Sequence, residues 1–364
     1  MNMKLPLLDD LIDEQLNVYE ASLKENLFVL GPPGSGKTTM AVHRIKRLLG
    51  IGSSAILLTK NRMLAALAGQ LGDNSFTTLT MNSFITSEFH RRFGRNAPEP
   101  KPFVYSWQEI MDEYEKARVT PTLDHLIIDE GQNLPSAFYA WAVRFGAKNV
   151  SVFADEDQTT LPQRASIEEI CAAPMPEPIR LSENHRNTQE IARVAEHFHK
   201  SRTLPAAIVR RPRSGNIPTI EKVKMWSEVV TLVKIRLKNR GESIGVIVRL
   251  ANEAEALKSM LQKELPSSRI DAYTSRNKSG SEKNIHLMTP GVTVLTGESA
   301  IGLEFETVYL QDLARSLPCA QPDQYRRLYM LCARARDNLV LIDGPSALTA
   351  SQYDSLPDKI LLLR

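Results

Sequence analysis

Short apolar runs alternate with helical patterns along the first half of the chain. Candidate strands lie at 27–30, 55–59, 76–80, 125–129 and 150–154, and helical patterns lie at 62–71 and 135–145. Strands that alternate with helices are typical of a parallel sheet covered by helices on both faces. The pattern therefore predicts an α/β domain.

The second half of the chain repeats this alternation after a proline-rich interruption. Residues 172–179 read AAPMPEPI, and such closely spaced prolines exclude a regular helix or strand there. Beyond this segment, candidate strands lie at 243–249, 269–274, 292–296, 306–310 and 338–343, and candidate helices lie at 226–239 and 252–264. We therefore predict two domains, residues 1–178 and 179–364, each built around a parallel sheet.

Composition narrows the class of protein. The chain has 364 residues, of which 42% are hydrophobic, and its net charge is only +3, which is typical of a folded globular protein with any basic surface confined to one region. Its three cysteines show no metal-site spacing, which favours a reducing compartment. The acidic N-terminus does not resemble a signal peptide, and no apolar run approaches the roughly 20 residues of a membrane span. We expect a cytoplasmic protein that does not enter a membrane.

A glycine-rich loop follows the first apolar run and precedes a helical pattern at 37–49. It consists of Gly31, Pro32, Pro33, Gly34, Ser35, Gly36, Lys37 and Thr38, and it fits G-x-x-x-x-G-K-[ST]. In this motif, the backbone N–H groups and the helix N-terminus surround the phosphates of a nucleotide. We expect Lys37 to reach the β- and γ-phosphates and Thr38 to bind Mg²⁺.

Two carboxylates lie just past the apolar residues of the candidate strand 125–129. Ligands bind beyond the carboxyl ends of parallel strands, which is where Asp129 and Glu130 are predicted to lie. We expect Asp129 to hold Mg²⁺ through water and Glu130 to accept a proton from, or orient, the water that attacks the γ-phosphate. Gln158, after the strand 150–154, is either a sensor of the γ-phosphate or part of a polar turn.

Seven motifs in this order, with the glycine-rich loop counted among them, resemble those of the superfamily 1 helicases of the UvrD/Rep type. They are Gln15, the glycine-rich loop, Asp129-Glu-Gly-Gln-Asn133 with Ala154-Asp-Glu-Asp-Gln158, Leu181-Ser-Glu-Asn-His-Arg186-Asn187, Thr296–Phe305 and Leu328–Ala335. The resemblance implies two tandem RecA-like P-loop NTPase domains that bind ATP between them. It also implies that Gln15 reads adenine, that Glu304 binds the ribose, and that Arg186 and Arg334 act as arginine fingers. Thr39 occupies the place where the family often has an arginine on the base.

The resemblance weakens at the positions that contact nucleic acid. The aromatic residues expected after Gln158 and near 58–62 are missing, and Glu298 and Ile301 replace a histidine and a lysine. Basic candidates are Lys60, Arg62, Arg164 and the loop 200–213. The large accessory subdomains are also absent from the sequence.

The sequence leaves two functions open. The leading hypothesis is an ATP-driven helicase or translocase that contacts the backbone of single-stranded DNA or RNA. The alternative is a nucleotide-switched ATPase subunit that controls a partner such as a nuclease. A metabolic kinase accounts for neither Arg334 nor the Gly302–Phe305 match.

Overall fold

The computed structural model describes residues 5–155, 165–199, 208–209, 215–274, 276–278, 280–287 and 289–364. The chain forms two compact units. The first comprises Leu5–Pro32 and Gly36–Ser182, and the second is built mainly from Glu183–Arg364. Each unit contains a six-stranded sheet in which all neighbouring strands are parallel. The predicted α/β class with two tandem RecA-like domains is confirmed.

The first unit places its strands in the order β3-β2-β4-β5-β1-β6. The strands are β1 (Leu27–Leu30), β2 (Ala55–Thr59), β3 (Thr78–Thr80), β4 (His125–Ile128), β5 (Asn149–Ala154) and β6 (Ile179–Arg180). The helices are α1 (Asp13–Glu20), α2 (Lys37–Gly50), α3 (Arg62–Leu71), α4 (Met81–Phe93), α5 (Trp107–Lys116), α6 (Ser136–Trp141) and α7 (Ile167–Ala172). A π-helical turn, Ala142–Gly146, extends α6, and the first sheet continues past the proline-rich segment to β6.

The central strands of the first sheet are apolar because helices cover both of their faces. Successive side chains of a strand point to opposite faces. Phe28 accordingly packs with Leu126 and Trp141 on one face, whereas Val29 packs with Ile45 and Phe153 on the other, as members of two separate core clusters.

The second unit has the strand order β11-β12-β10-β13-β14-β9. The strands of this sheet are β9 (Thr219–Lys222), β10 (Ser243–Val248), β11 (Ile270–Tyr273), β12 (Gly291–Thr296), β13 (Phe305–Leu310) and β14 (Ala335–Asp343). Two further strands, β7 (Glu183–Asn184) and β8 (Ile208–Val209), form a separate parallel pair. The helices are α8 (Gln189–His197), α9 (Trp226–Arg240), α10 (Ala251–Glu264), α11 (Gly297–Ala300), α12 (Pro322–Cys332) and α13 (Ala350–Asp354). Val233 of α9 and Leu257 of α10 pack against Val246 and Val294 of the sheet.

The register of the first sheet determines where its functional residues meet. Leu30 of β1 lies opposite Ala154 of β5, and Ile128 of β4 lies opposite Val152. The residues that follow these three strands therefore share the carboxyl edge of the sheet. Within the described ranges, every helix is too short or too polar to cross a membrane.

Candidate functional site

The glycine-rich loop connects β1 to α2 as predicted. Gly34 and Gly36 have φ angles of 84° and 90°, in the left-handed region that favours glycine. Gly36 is the N-cap of α2, so the first backbone N–H groups of this 14-residue helix lack carbonyl partners within the helix. Such a loop and helix terminus form an anion-binding site without any change of backbone.

Lys37 is buried at the start of α2, and its ammonium group lies within the loop. The Nζ atom donates hydrogen bonds to the carbonyl oxygens of Gly31 and Pro32, at 2.6 and 2.9 Å. It also lies 3.5 Å from Oδ2 of Asp155, which follows β5. A phosphate in the loop would therefore find the ammonium group already positioned among the backbone N–H donors.

The predicted magnesium ligands, Thr38 and Asp129, are in direct contact. The Thr38 hydroxyl donates to Oδ2 of Asp129 at 2.7 Å. The other oxygen, Oδ1, is buried and accepts no hydrogen bond from the described residues. Burial, together with the neighbouring charge of Glu130, raises the pKa of Asp129 to about 7, although Thr38 and Lys37 oppose the shift. The site thus contains a carboxylate that is costly to ionise without a cation.

These two residues fit Mg²⁺, which prefers oxygen ligands. Mg²⁺ commonly keeps several waters and is bound through one or two carboxylates plus substrate phosphates, so a full cage of protein ligands is not required. The described part of the chain contains no group of three or more His, Cys, Asp or Glu residues that could hold a metal. The unsatisfied Oδ1 atom of Asp129 is the feature that a cation would complete.

Glu130 follows Asp129 in a strained backbone conformation. Its φ is 56°, in the left-handed region that non-glycine residues rarely adopt. Its Oε2 atom accepts hydrogen bonds from Nε2 of Gln132 at 2.7 Å and from Nδ2 of Asn133 at 3.3 Å. The Oε1 atom of Gln132 in turn accepts from the backbone N–H of Asp155 at 3.0 Å. The side chain of Gln132 thereby connects Glu130, which follows β4, to Asp155, which follows β5.

Gln15, which is predicted to read the base, lies beside the phosphate loop. It is a buried residue of α1, and its Nε2 atom would be only 2.6 Å from a Cβ atom added to Gly36. Thr39 is the third residue of α2. A side chain at position 36 would therefore collide with Gln15, in addition to being disfavoured by the φ angle.

The second unit brings its three predicted residues, Arg186, Glu304 and Arg334, into one cluster. Arg186 forms an ion pair with Glu304 through Nε and Oε2. Burial alone would raise the pKa of Glu304, but the charges of Arg186 and other nearby arginines lower it. Arg334 is almost fully buried and donates to the carbonyl oxygens of Met330 and Leu303, at 2.8 and 3.3 Å.

Asn187 holds this cluster together, and sequence reasoning assigned it no role. Its amide donates to the carbonyl oxygens of Ala333 and Ala335, on either side of Arg334. Asn184 accepts hydrogen bonds from the backbone N–H groups of Arg186 and Asn187. Two amide side chains thus fix the loop after β7 against the segment between α12 and β14. The signal in the sequence was present, because both residues belong to the motif that contains Arg186.

Several predicted residues lie outside the described ranges. They are Gln158 and Arg164, together with all of the loop 200–213 except Ile208 and Val209. Glu298, which replaces a histidine of the helicase motif, lies in α11 after β12. It pairs with Arg315 and lies 3.4 Å from Arg327, which also pairs with the buried Asp312. Two arginines at the carboxyl edge of the second sheet are therefore matched by two carboxylates.

Comparison with known proteins agrees with the geometry of the first unit. Residues 14–162 match a family model described as an AAA domain. The match supports a helicase-like P-loop fold. No curated protein is significantly similar to the chain. Among solved structures, the C-terminal domain of a possible DNA helicase from Lactobacillus plantarun WCFS1 is 19% identical, with a TM-score of 0.35 over 49% of this chain and 96% of that one.

Proposed function

We propose that this protein is an ATP-dependent helicase or translocase of the superfamily 1 type that moves along single-stranded nucleic acid. The observation that carries the proposal is the contact of Thr38 with Asp129, at 2.7 Å, beside Lys37 and Glu130 at one sheet edge. The match of residues 14–162 to an AAA domain, of the kind found in UvrD/Rep-like helicases, supports the same function.

The residues of the first unit account for binding and hydrolysis of ATP. Lys37 exchanges the carbonyl oxygens of Gly31 and Pro32 for the β- and γ-phosphates, while the N-terminus of α2 donates backbone hydrogen bonds. Thr38 and Asp129 would hold Mg²⁺, which neutralises phosphate charge. Glu130 orients the attacking water, since no described residue donates a hydrogen bond to its Oε1 atom and Oε2 is held in place.

We assign the remaining nucleotide contacts by their place in the motifs. Arg186 and Arg334 supply positive charge to the γ-phosphate in the transition state, and Glu304 binds the ribose. Gln15 binds the base, for which its position beside Gly36 is suitable. Arg334 donates to two backbone carbonyls, so its guanidinium group is held in one orientation before ATP binds.

Single-stranded DNA or RNA is the proposed track, and contacts to its phosphate backbone dominate. The chain lacks the aromatic residues that stack on bases in the resembling helicases, and stacking contributes about 1–3 kcal/mol per base. Lys60 and Arg62 follow β2 at the carboxyl edge of the first sheet and are both partly exposed. We expect them to bind phosphates with little sequence preference.

A second candidate function is a nucleotide-switched ATPase subunit that controls a partner such as a nuclease. The ion pairs of Glu298 with Arg315 and Arg327 favour it, because they neutralise an edge that resembles the strand-binding edge of helicases. In this case the partner supplies most of the nucleic-acid contacts.

The decisive experiment measures ATP hydrolysis by the full chain with and without single-stranded oligonucleotides at low salt. Parallel reactions with DNA and RNA identify the type of strand, and Glu130→Gln serves as the control for contaminating ATPases. We expect single strands to raise the rate of the wild-type chain and leave the variant inactive. Hydrolysis without any binding or response to either strand would instead favour the partner-switched ATPase.

A further inference from the structure

A chain of hydrogen bonds connects a surface lysine with the carboxylate of Glu130. The Nζ atom of Lys60 donates to Oδ1 of Asn133 at 3.2 Å, and Nδ2 of Asn133 donates to Oε2 of Glu130 at 3.3 Å. Lys60 is partly exposed after β2, whereas Asn133 is fully buried in the short helical turn after Glu130. The link therefore runs from the surface of the first unit to its hydrolysis site.

The charges at the two ends determine the orientation of the Asn133 amide. An ammonium group only donates hydrogen bonds, and the Oε2 atom of Glu130 accepts one from Asn133. The amide must therefore turn its oxygen to Lys60 and its nitrogen to Glu130. In the flipped orientation, the NH₂ group would face the ammonium group and the amide oxygen would face the carboxylate, so neither hydrogen bond could form. Lys60 thus fixes the amide that helps to fix Glu130.

Glu130 needs this support because its backbone is strained. A non-glycine residue at a φ of 56° persists only where surrounding contacts hold it. Gln132 provides one such contact, at 2.7 Å, and the longer bond from Asn133 provides the second. The contact from Asn133 is the one that a ligand at the surface can strengthen or weaken.

We propose that Asn133 is a positioning residue that couples occupancy of Lys60 by a phosphate of the nucleic-acid backbone to the placement of Glu130. The proposal rests on the function proposed above. An ammonium group has three N–H donors, so the hydrogen bond to Asn133 does not by itself prevent Lys60 from contacting a phosphate. A bound strand then orders Lys60, the amide and the carboxylate together, and hydrolysis accelerates.

The test compares Asn133→Leu, Asn133→Asp, Lys60→Met and the double variant Asn133→Leu/Lys60→Met with wild type. Leu removes both hydrogen bonds at similar volume, while Asp keeps the acceptor for Lys60 and loses the donor to Glu130. Lys46→Met is the matched control, since Lys46 lies on α2 and pairs with the exposed Asp73. The kcat and KM for ATP are measured with and without saturating oligo-dT, oligo-dT affinity is measured by fluorescence anisotropy, and melting temperatures confirm folding.

We expect each substitution at Asn133 to lower the stimulated kcat by roughly tenfold, less than the roughly 10²–10⁴-fold expected for loss of Glu130 itself. KM for ATP and the affinity of the Asn133 variants for oligo-dT should remain unchanged, which separates positioning from a general structural defect. Lys60→Met should weaken oligo-dT binding and reach the same reduced kcat at saturation. The double variant should be no slower than the slower single variant, because both residues act through one link.

The remaining outcomes test the link through Asn133 and the proposed function separately. Wild-type stimulation in the folded Asn133→Asp variant would overturn the link while leaving strand-dependent hydrolysis intact. If the wild-type chain hydrolyses ATP but responds neither to oligo-dT nor to a single-stranded RNA, the strand-binding function fails. In that case, the kcat measured without oligonucleotide tests the link between Lys60 and Glu130. The link is supported if the Asn133 and Lys60 variants lose equal factors in kcat and the double variant loses no more. It is overturned if these rates equal the wild-type rate. A wild-type chain without ATPase activity would refute both.

Discussion

Replacing Asp129 with asparagine should stabilise the nucleotide-free protein while abolishing its activity. Asp129 is buried, its Oδ1 atom accepts no hydrogen bond from the described residues, and its neighbour Glu130 is also acidic. Burial and that neighbour raise the pKa of Asp129 to about 7 from 3.8. A carboxyl group whose pKa is raised on folding destabilises the folded state increasingly as pH rises from the unfolded to the folded pKa.

The size of the effect follows from these two pKa values. Relative to Asp129→Asn, the wild-type chain should lose about 2–3 kcal/mol of unfolding free energy between about pH 5 and about pH 8, since one pKa unit corresponds to about 1.4 kcal/mol. The measurement is urea unfolding of both proteins in EDTA, without nucleotide, at the two pH values. Added Mg²⁺ and ATP should narrow the difference at high pH, because they favour the ionised carboxylate of the wild type.

Asp124→Asn is the matched control with the opposite sign. Hydrogen bonds from Lys148 and Ser54 hold the pKa of Asp124 well below its usual range, so its carboxylate stabilises the folded state throughout this pH interval. That variant should lose stability by a similar amount at both pH values. If Asp129→Asn is no more stable than wild type at the higher pH, or if its advantage does not grow with pH, the argument from the unsatisfied carboxylate is refuted.

Further expectations concern the nucleotide and the strand. Lys37→Ala should abolish phosphate release yet leave the melting temperature near that of wild type, because the ammonium group contacts loop carbonyls and Asp155 rather than the apolar core. A wild-type rate would contradict the assignment. Glu130→Gln should still bind a fluorescent ATP analogue while turnover falls by roughly 10²–10⁴-fold, and loss of binding would contradict its role. Arg186→Lys should reduce turnover more than nucleotide affinity, since lysine keeps the charge without the planar guanidinium group; parallel kinetic and binding measurements check this, and equal losses would argue for a binding role alone. Affinity for single-stranded DNA, measured by anisotropy, should fall steeply as salt rises, whereas a flat response would exclude mainly backbone contacts.

The helices and strands that were predicted could be recognised because their patterns are local, whereas α4 and α5 were not predicted. Strands such as Leu27–Leu30 and Ser243–Val248 are buried throughout, so they appear in the sequence as continuous apolar runs. The helix predicted at 62–71 has the observed bounds, Arg62–Leu71, and begins where Asn61 accepts a hydrogen bond from the backbone of Leu64. Caps and periodicity are properties of neighbouring residues, which is why sequence alone captures them.

The contacts that hold the candidate site were not predictable in the same way. The amides of Gln132 and Asn133 reach Glu130 only because Glu130 adopts a left-handed conformation that its residue type disfavours. The bonds from Asn187 to the carbonyl groups of Ala333 and Ala335 join segments 146 and 148 residues apart. Such contacts depend on tertiary register, which no local pattern specifies.

The distribution of charge at the two sheet edges indicates why the link through Asn133 matters. At the edge of the second sheet, Arg315 and Arg327 are matched by Glu298 and Asp312, so this group offers no net positive charge to a phosphate. A strand that bound there would first have to displace Glu298 from two arginines. The contact of Lys60 with Asn133 is of another kind, because Asn133 is neutral and accepts the hydrogen bond through its side-chain carbonyl oxygen. Of these basic residues, Lys60 makes the hydrogen bond that leads through Asn133 to Glu130, so binding of nucleic acid should act on hydrolysis chiefly through the first unit.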